Sequence, residues 1–79
     1  MMSKAVKVYT TSTCPYCTMV KNFLKEKNIT FEEADVGRDR SAAKEMVDKT
    51  GQMGVPVVDI DGKIIVGFDK EAISRELRE

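Results

Sequence analysis

The dipeptide Asp61-Gly62 separates two runs rich in β-branched residues, Val55-Pro56-Val57-Val58-Asp59-Ile60 and Lys63-Ile64-Ile65-Val66, and it limits what the end of this chain can become. Two residues leave room only for a tight reversal. Asp-Gly suits the turn in which both central residues take positive φ, whose twist matches that of the strands it joins. The two runs therefore form an antiparallel hairpin. Pro56 has no amide hydrogen to give to a ladder, so it belongs at the opening of the first strand rather than inside it.

Ahead of the hairpin the hydrophobic period changes twice. Residues 4–9 alternate Lys4, Val6 and Val8 against Ala5, Lys7 and Tyr9, which predicts a strand with both faces partly covered. Pro15 fits the first position of a helix, where its missing N–H costs nothing, and an amphipathic pattern runs on to Lys27. That pattern sets Tyr16, Val20, Phe23 and Leu24 on an inward face and Thr18, Lys21, Asn22 and Lys25 outward, with Asn28 ending the helix in the left-handed conformation. A second strand is expected over 30–34, and its Glu32-Glu33 pair marks it as a sheet edge, where charge blocks unwanted pairing. After a turn over 37–40, Asp39 or Ser41 caps a second helix that runs to about Thr50 on a narrow stripe of Ala42, Ala43, Met46 and Val47. Gly51 follows it as the left-handed terminator. Gly67-Phe68 turns the chain once more, and Asp69 caps a third helix that points Ala72, Ile73 and Leu77 inward.

The order is β-α-β-α-β-β-α. A right-handed crossover makes the first two strands parallel, the hairpin is antiparallel, and the class is α/β: a mixed four-stranded sheet flanked by three helices on its two faces. The loop at the carboxyl end of the first strand is where such a fold gathers chemistry. At 79 residues the chain is read as one domain, 1–79, whose core must be compact. Thirteen basic and thirteen acidic residues cancel, which argues against a nucleic-acid or membrane-surface partner held by bulk charge. The first eight residues interrupt their apolar positions with lysines and hold no export-type apolar segment, and the run Ile64–Phe68 is too short to span a bilayer. A cytoplasmic location is the expectation. In a reducing compartment a cysteine pair is more often catalytic or metal-binding than structural.

Both cysteines lie in Thr13-Cys14-Pro15-Tyr16-Cys17. With Pro15 as the first helical residue, Cys14 becomes the N-cap, against the free N–H groups and the positive end of the helix dipole, a setting that favours the thiolate over the thiol. Cys17 is the third helical residue, whose side chain converges on the cap, so the two sulfurs can be bridged. A disulfide closing so short a loop removes little entropy from the unfolded chain, so its value is chemical. A zinc site would need two further ligands, and with no His and no third Cys the metal would require a second molecule. The pair is therefore read as redox-active, with Cys14 attacking and Cys17 resolving. The hydroxyls of residues 10–13 tie down the loop. Lys21, one turn beyond Cys17, either raises the local positive potential or is simply solvated.

Tyr9-Thr10, the Cys-Pro-Tyr-Cys segment at a helix head, Gly54-Val55-Pro56 before the hairpin and Gly67-Phe68-Asp69 before the last helix together resemble the small bacterial two-cysteine glutaredoxins, over nearly the whole chain. The resemblance implies a thioredoxin fold and a thiol-disulfide oxidoreductase that acts on protein disulfides or glutathione mixed disulfides. It implies a cis Pro56 facing the cysteines, Val55 offering its backbone to a bound disulfide substrate, and Thr13 and Tyr16 as further substrate-binding residues. Gly67, Phe68 and Asp69 match the family's site for the γ-glutamyl end of glutathione. No organic cofactor and no metal would be built in, and glutathione would be a co-substrate of a monomeric protein. Three positions depart from the family's usual residues: Thr11 stands where a lysine is typical, Gly54 where a threonine is, and Val66 where the first of two glycines is. The Gly67-Phe68 pair is similar instead to redoxins that are reduced by thioredoxin reductase and serve ribonucleotide reductase. A rival of another class is a dimer that shares an iron-sulfur cluster through Cys14 and glutathione, although two thiols per chain fall short of the four such clusters take.

Overall fold

The computed structural model describes residues 5–52 and 54–78. Its elements are β1 (Val6–Thr10), α1 (Pro15–Glu26), β2 (Glu32–Asp35), α2 (Arg40–Thr50), β3 (Val57–Ile60), β4 (Lys63–Val66) and α3 (Lys70–Arg78). The strands form one sheet in the order β2-β1-β3-β4, with β1 parallel to β2 and antiparallel to β3, and β3 antiparallel to β4. β2 is an edge strand, as its paired glutamates imply. Asp61 and Gly62 both have positive φ, 54° and 96°, which is the twist a two-residue hairpin turn requires.

The register sorts the side chains by face. Val6 stands opposite Ile60 and Val8 opposite Val58, while Lys7 stands opposite Asp59 and Tyr9 opposite Val57. Because side chains alternate along a strand, the first set turns to one face of the sheet and the second to the other. On the first face Val6, Val8, Val58, Ile60 and Ile65 pack with Val20 and Leu24 of α1 and Ile73 of α3. On the second, Tyr9 and Val57 pack with Met46 of α2. Full burial of one such side chain contributes roughly 1.5–3 kcal/mol, so the α1/α3 face carries most of the apolar stabilisation. The α2 face adds charge instead: Lys7 pairs with Glu45 at 2.7 Å, and Lys49 pairs with Asp59 and donates to the Tyr9 hydroxyl at 2.9 Å.

Several boundaries move from the sequence expectation, each for a local reason. β2 is displaced toward the carboxyl end, Glu32–Asp35 rather than 30–34, because its parallel register with β1 starts only where Lys7 meets Glu32. β3 begins at Val57, one residue after Pro56, which lacks the N–H a ladder residue would use. Tyr16 is 60 % exposed, not part of the inward face. The inward positions of α1 are Cys17, Val20 and Leu24, at i, i+3 and i+7, and Tyr16 lies ahead of them in the first turn with its side chain left at the surface. The cap of α2 is Asp39, whose Oδ1 accepts the amides of Ser41 and Ala42, and Gly51 ends the helix at φ 78°. Lys4, expected in the first strand, lies outside the described residues.

Candidate active site

Antiparallel pairing brings the carboxyl end of β1, the amino end of β3 and the carboxyl end of β4 to one edge of the sheet, since Tyr9 and Val66 both stand opposite Val57. The loops 11–14, 54–56 and 67–69 therefore open at the same end of the molecule. The Gly67 amide donates to the Pro56 carbonyl at 2.8 Å, tying the last loop to the middle one. The Val55–Pro56 peptide is cis, as the resemblance implies. Pro56 is buried and Val55 half-buried, and no backbone hydrogen bond joins Val55 to another described residue.

Cys14 is the N-cap of α1, with extended backbone (φ −100°, ψ 110°) and Pro15 as the next residue. Its Sγ accepts the Cys17 amide at 3.2 Å, and its own amide donates to the Thr11 carbonyl at 3.4 Å. A sulfur thus takes the place that an oxygen holds in ordinary caps. Both cysteines are free. Cys14 is half-exposed and Cys17 has no exposed surface. Burial first, and then a hydrogen bond with Cys14, push the Cys17 thiol up to about 12, against weaker opposing effects of the Thr11 backbone and the Lys21 charge. Lys21 is not merely solvated: its ammonium donates to Glu33 Oε2 at 2.9 Å, and the buried Thr10 hydroxyl donates to the same oxygen at 3.0 Å. The Lys21 hydrogen bond is the main cause that holds the Glu33 carboxyl below its usual range.

The flanking residues divide into two groups. Thr13 and Tyr16 are exposed beside Cys14. Phe68 is half-buried, its ring edge-on to Phe23 of α1 at 6.0 Å, and Asp69 spends one carboxylate oxygen on the Ala72 amide at 3.1 Å as the cap of α3. Among the described residues no three His, Cys, Asp or Glu side chains gather as a metal site. A groove of about 550 Å³ lies between β2 and α2, lined by Lys7, Glu32, Arg38, Asp39 and Glu45 among others, and it contains neither cysteine. Both cysteines lie at the open sheet end instead. Sequence reasoning gave Glu33 an edge-blocking role only. Alternation separates Glu33 from Glu32, but only the register, in which Glu33 stands opposite Val8, turns it to the α1 face.

A family model described as Glutaredoxin matches residues 6–65 of the chain. A glutaredoxin-like 8.6 kDa protein of the rubredoxin operon of Clostridium pasteurianum is 47 % identical over 70 residues, which cover 89 % of this chain and 93 % of that protein. The chain belongs to the glutaredoxin family. Among solved structures, the thioredoxin-like protein BC3987 superposes with a TM-score of 0.86 at 38 % identity, covering 91 % of this chain and 99 % of the other. The glutaredoxin-like NrdH-redoxin of Escherichia coli, described as having a thioredoxin-like activity profile, gives 0.82 at 27 %, covering 90 % and 92 %. The fold of this glutaredoxin-family protein is therefore the thioredoxin fold, and its cysteine pair makes it a thiol oxidoreductase. No helix among the described residues is long and apolar enough to cross a membrane.

Proposed function

We propose that this protein reduces disulfides in other proteins by dithiol exchange, with Cys14 as the attacking and Cys17 as the resolving sulfur. The observation that carries the reading is the contrast between the two sulfurs, one half-exposed at a helix cap and the other fully enclosed behind it. An incoming disulfide reaches Cys14 and not Cys17. The Cys14 thiolate attacks one substrate sulfur and the other leaves as a thiolate, giving a mixed disulfide. Cys17 then gives up its proton and attacks Cys14 Sγ. The second substrate sulfur departs with the electron pair, so two electrons and the Cys17 proton pass to the substrate, whose other thiolate takes its proton from solvent. Val55, whose backbone has no partner among the described residues, is the place for the extended chain of the substrate to pair, with Thr13 and Tyr16 beside it. Gly67, Phe68 and Asp69 would receive glutathione where it serves as co-substrate.

A second reading concerns the electron source. Thr11 in place of the usual lysine, the Gly67-Phe68 pair and the likeness to a redoxin with a thioredoxin-like profile all favour a flavoprotein thioredoxin reductase over glutathione. One assay tests both readings. NADPH oxidation in the presence of a protein disulfide is followed with glutathione plus glutathione reductase, and separately with thioredoxin reductase alone. Turnover is expected in at least one arm, faster with thioredoxin reductase, and lost in both when Cys14 is changed to Ser. Activity that survives in Cys14→Ser would overturn the assignment of the nucleophile, and a faster glutathione arm would overturn the second reading.

A further inference from the structure

Lys21 follows Cys17 by four residues, so the two side chains share one side of α1. One group from another element, the Glu33 carboxylate, holds the ammonium of that lysine, and the Thr10 hydroxyl steadies that carboxylate. Glu33 belongs to the edge strand and, standing opposite Val8, projects to the α1 face. Its Oε2 accepts from Lys21 at 2.9 Å and from the hydroxyl of Thr10 at 3.0 Å. Thr10 is 1 % exposed, Cys17 is fully enclosed and the Lys21 side chain is 25 % exposed. A lysine on a helix surface ordinarily moves freely in water, where its charge is screened. Here it is paired with Glu33 on the side of α1 that also carries Cys17.

We propose that Lys21, held by the Thr10-bonded Glu33, stabilises the negative charge that develops on the Cys17 sulfur as it attacks the mixed disulfide. The inference rests on the dithiol reading above. In that step the Cys17 S–H bond breaks, its proton passes to solvent or to the departing substrate sulfur, a bond forms from Cys17 to Cys14, and the bond from Cys14 to the substrate sulfur breaks. An enclosed sulfur must become anionic where water is excluded, which is the circumstance in which a fixed positive charge acts most strongly. In the reduced pair burial and then Cys14 oppose a Cys17 anion, while the Thr11 backbone and Lys21 favour it; once Cys14 is bonded to substrate its sulfur no longer carries a competing charge. Glu33 tempers Lys21 and is itself under the influence of Lys25. From β3 and α3 this core presents Val58, Ile60 and Ile73, none of them titratable. Glu33 is accordingly a positioning residue: it fixes the ammonium while partly cancelling it.

The experiment mixes the reduced protein in equimolar amount with a symmetric aromatic disulfide that releases a coloured thiolate, and follows it by stopped flow across pH. The first release reports attack by Cys14 and the second reports resolution by Cys17. Raising the pKa of an attacking thiol lowers its thiolate fraction about tenfold per unit and raises its intrinsic nucleophilicity about threefold, so the second phase should slow by about threefold per unit. In Lys21→Met the midpoint of the second phase should move to higher pH with that loss, whereas Lys21→Arg should restore it. Glu33→Gln retains an oxygen acceptor but removes the cancelling charge, so its midpoint should move the opposite way. An unmoved midpoint in Lys21→Met, or slowing of both variants without a change in profile, would assign the lysine a structural role and overturn the proposal. Circular dichroism of each variant confirms folding, and Glu33→Gln, whose midpoint should move the opposite way, keeps the test decisive if Lys21→Met unfolds. The dithiol reading fails in a different way, by absence of a second phase in the unsubstituted protein or by persistence of the first in Cys14→Ser.

Discussion

At the scale of single residues the asymmetry between the two cysteines has consequences for stability as well as for exchange. The ordinary value of a thiol, 9.0, rises to about 12 for Cys17 in the fold. As pH climbs through that window the unfolded chain loses its proton first, so the native state holds more protons and stability falls with pH. The contribution is complete below about 9 and is lost as pH approaches 12. Urea unfolding of the reduced protein from neutral to alkaline pH should therefore show a steeper decline than Cys17→Ala, which has no such proton to hold. Parallel profiles would mean that Cys17 ionises as freely in the fold as out of it. Thr11 offers a second residue-scale test. It is half-buried, and its carbonyl accepts the Cys14 amide, while the side chain that would meet a carboxylate of glutathione carries no charge. Hydrogen bonds to charged groups contribute about 1.5–3 kcal/mol, so Thr11→Lys should raise glutathione-dependent deglutathionylation by roughly tenfold, with the gain shrinking in high salt. An unchanged rate would show that the missing lysine is not what limits glutathione use.

Among the elements, α2 depends most visibly on its cap. Asp39 Oδ1 accepts from Ser41 at 2.9 Å and from Ala42 at 3.2 Å, which answers two of the amides a helix start leaves free. Asp39→Ala should cost about 1 kcal/mol, a fall in melting temperature of about 4–8 °C for a domain of this size. Thermal melts at neutral pH measure it directly, and a fall below about 1 °C would show that the cap is idle. α1 is organised differently. Its cap is the Cys14 sulfur, the nucleophile proposed above, and its anchorage comes from the enclosed Cys17, Val20 and Leu24.

On the scale of the whole molecule the sheet divides two unequal cores. Among the described residues the buried cluster that joins α1 and α3 to one face has eight members, whereas the cluster that joins α2 to the other has three, helped by the Lys7–Glu45 and Lys49–Asp59 pairs. Exposed or half-exposed ion pairs contribute little beside apolar burial, so α2 should open before α1. Native-state hydrogen exchange of the reduced protein should find faster amides across 43–50 than across 19–26. Equal protection in the two helices would indicate that the ionic face binds α2 as firmly as apolar packing binds α1.

The sequence by itself determined the elements and their order, because the signals involved are local. Pro15 starts a helix, Asp61-Gly62 closes a hairpin, Gly51 ends a helix, and alternation reveals strands whatever surrounds them. It also determined the cysteine pair and its cap, since three residues of separation within one helical turn leave the geometry little freedom. Tyr16 was harder to place, as a residue in the first helical turn is assigned to a face only once packing selects the inward stripe. The tertiary structure alone decided which distant residues meet. Thr10, Lys21 and Glu33 share one carboxylate oxygen although they come from three different elements, a contact set by parallel register and by the face to which α1 docks. No local pattern encodes that register: a strand's period of two fixes which side chains share a face, but the direction each face looks is settled only when the sheet and helices pack.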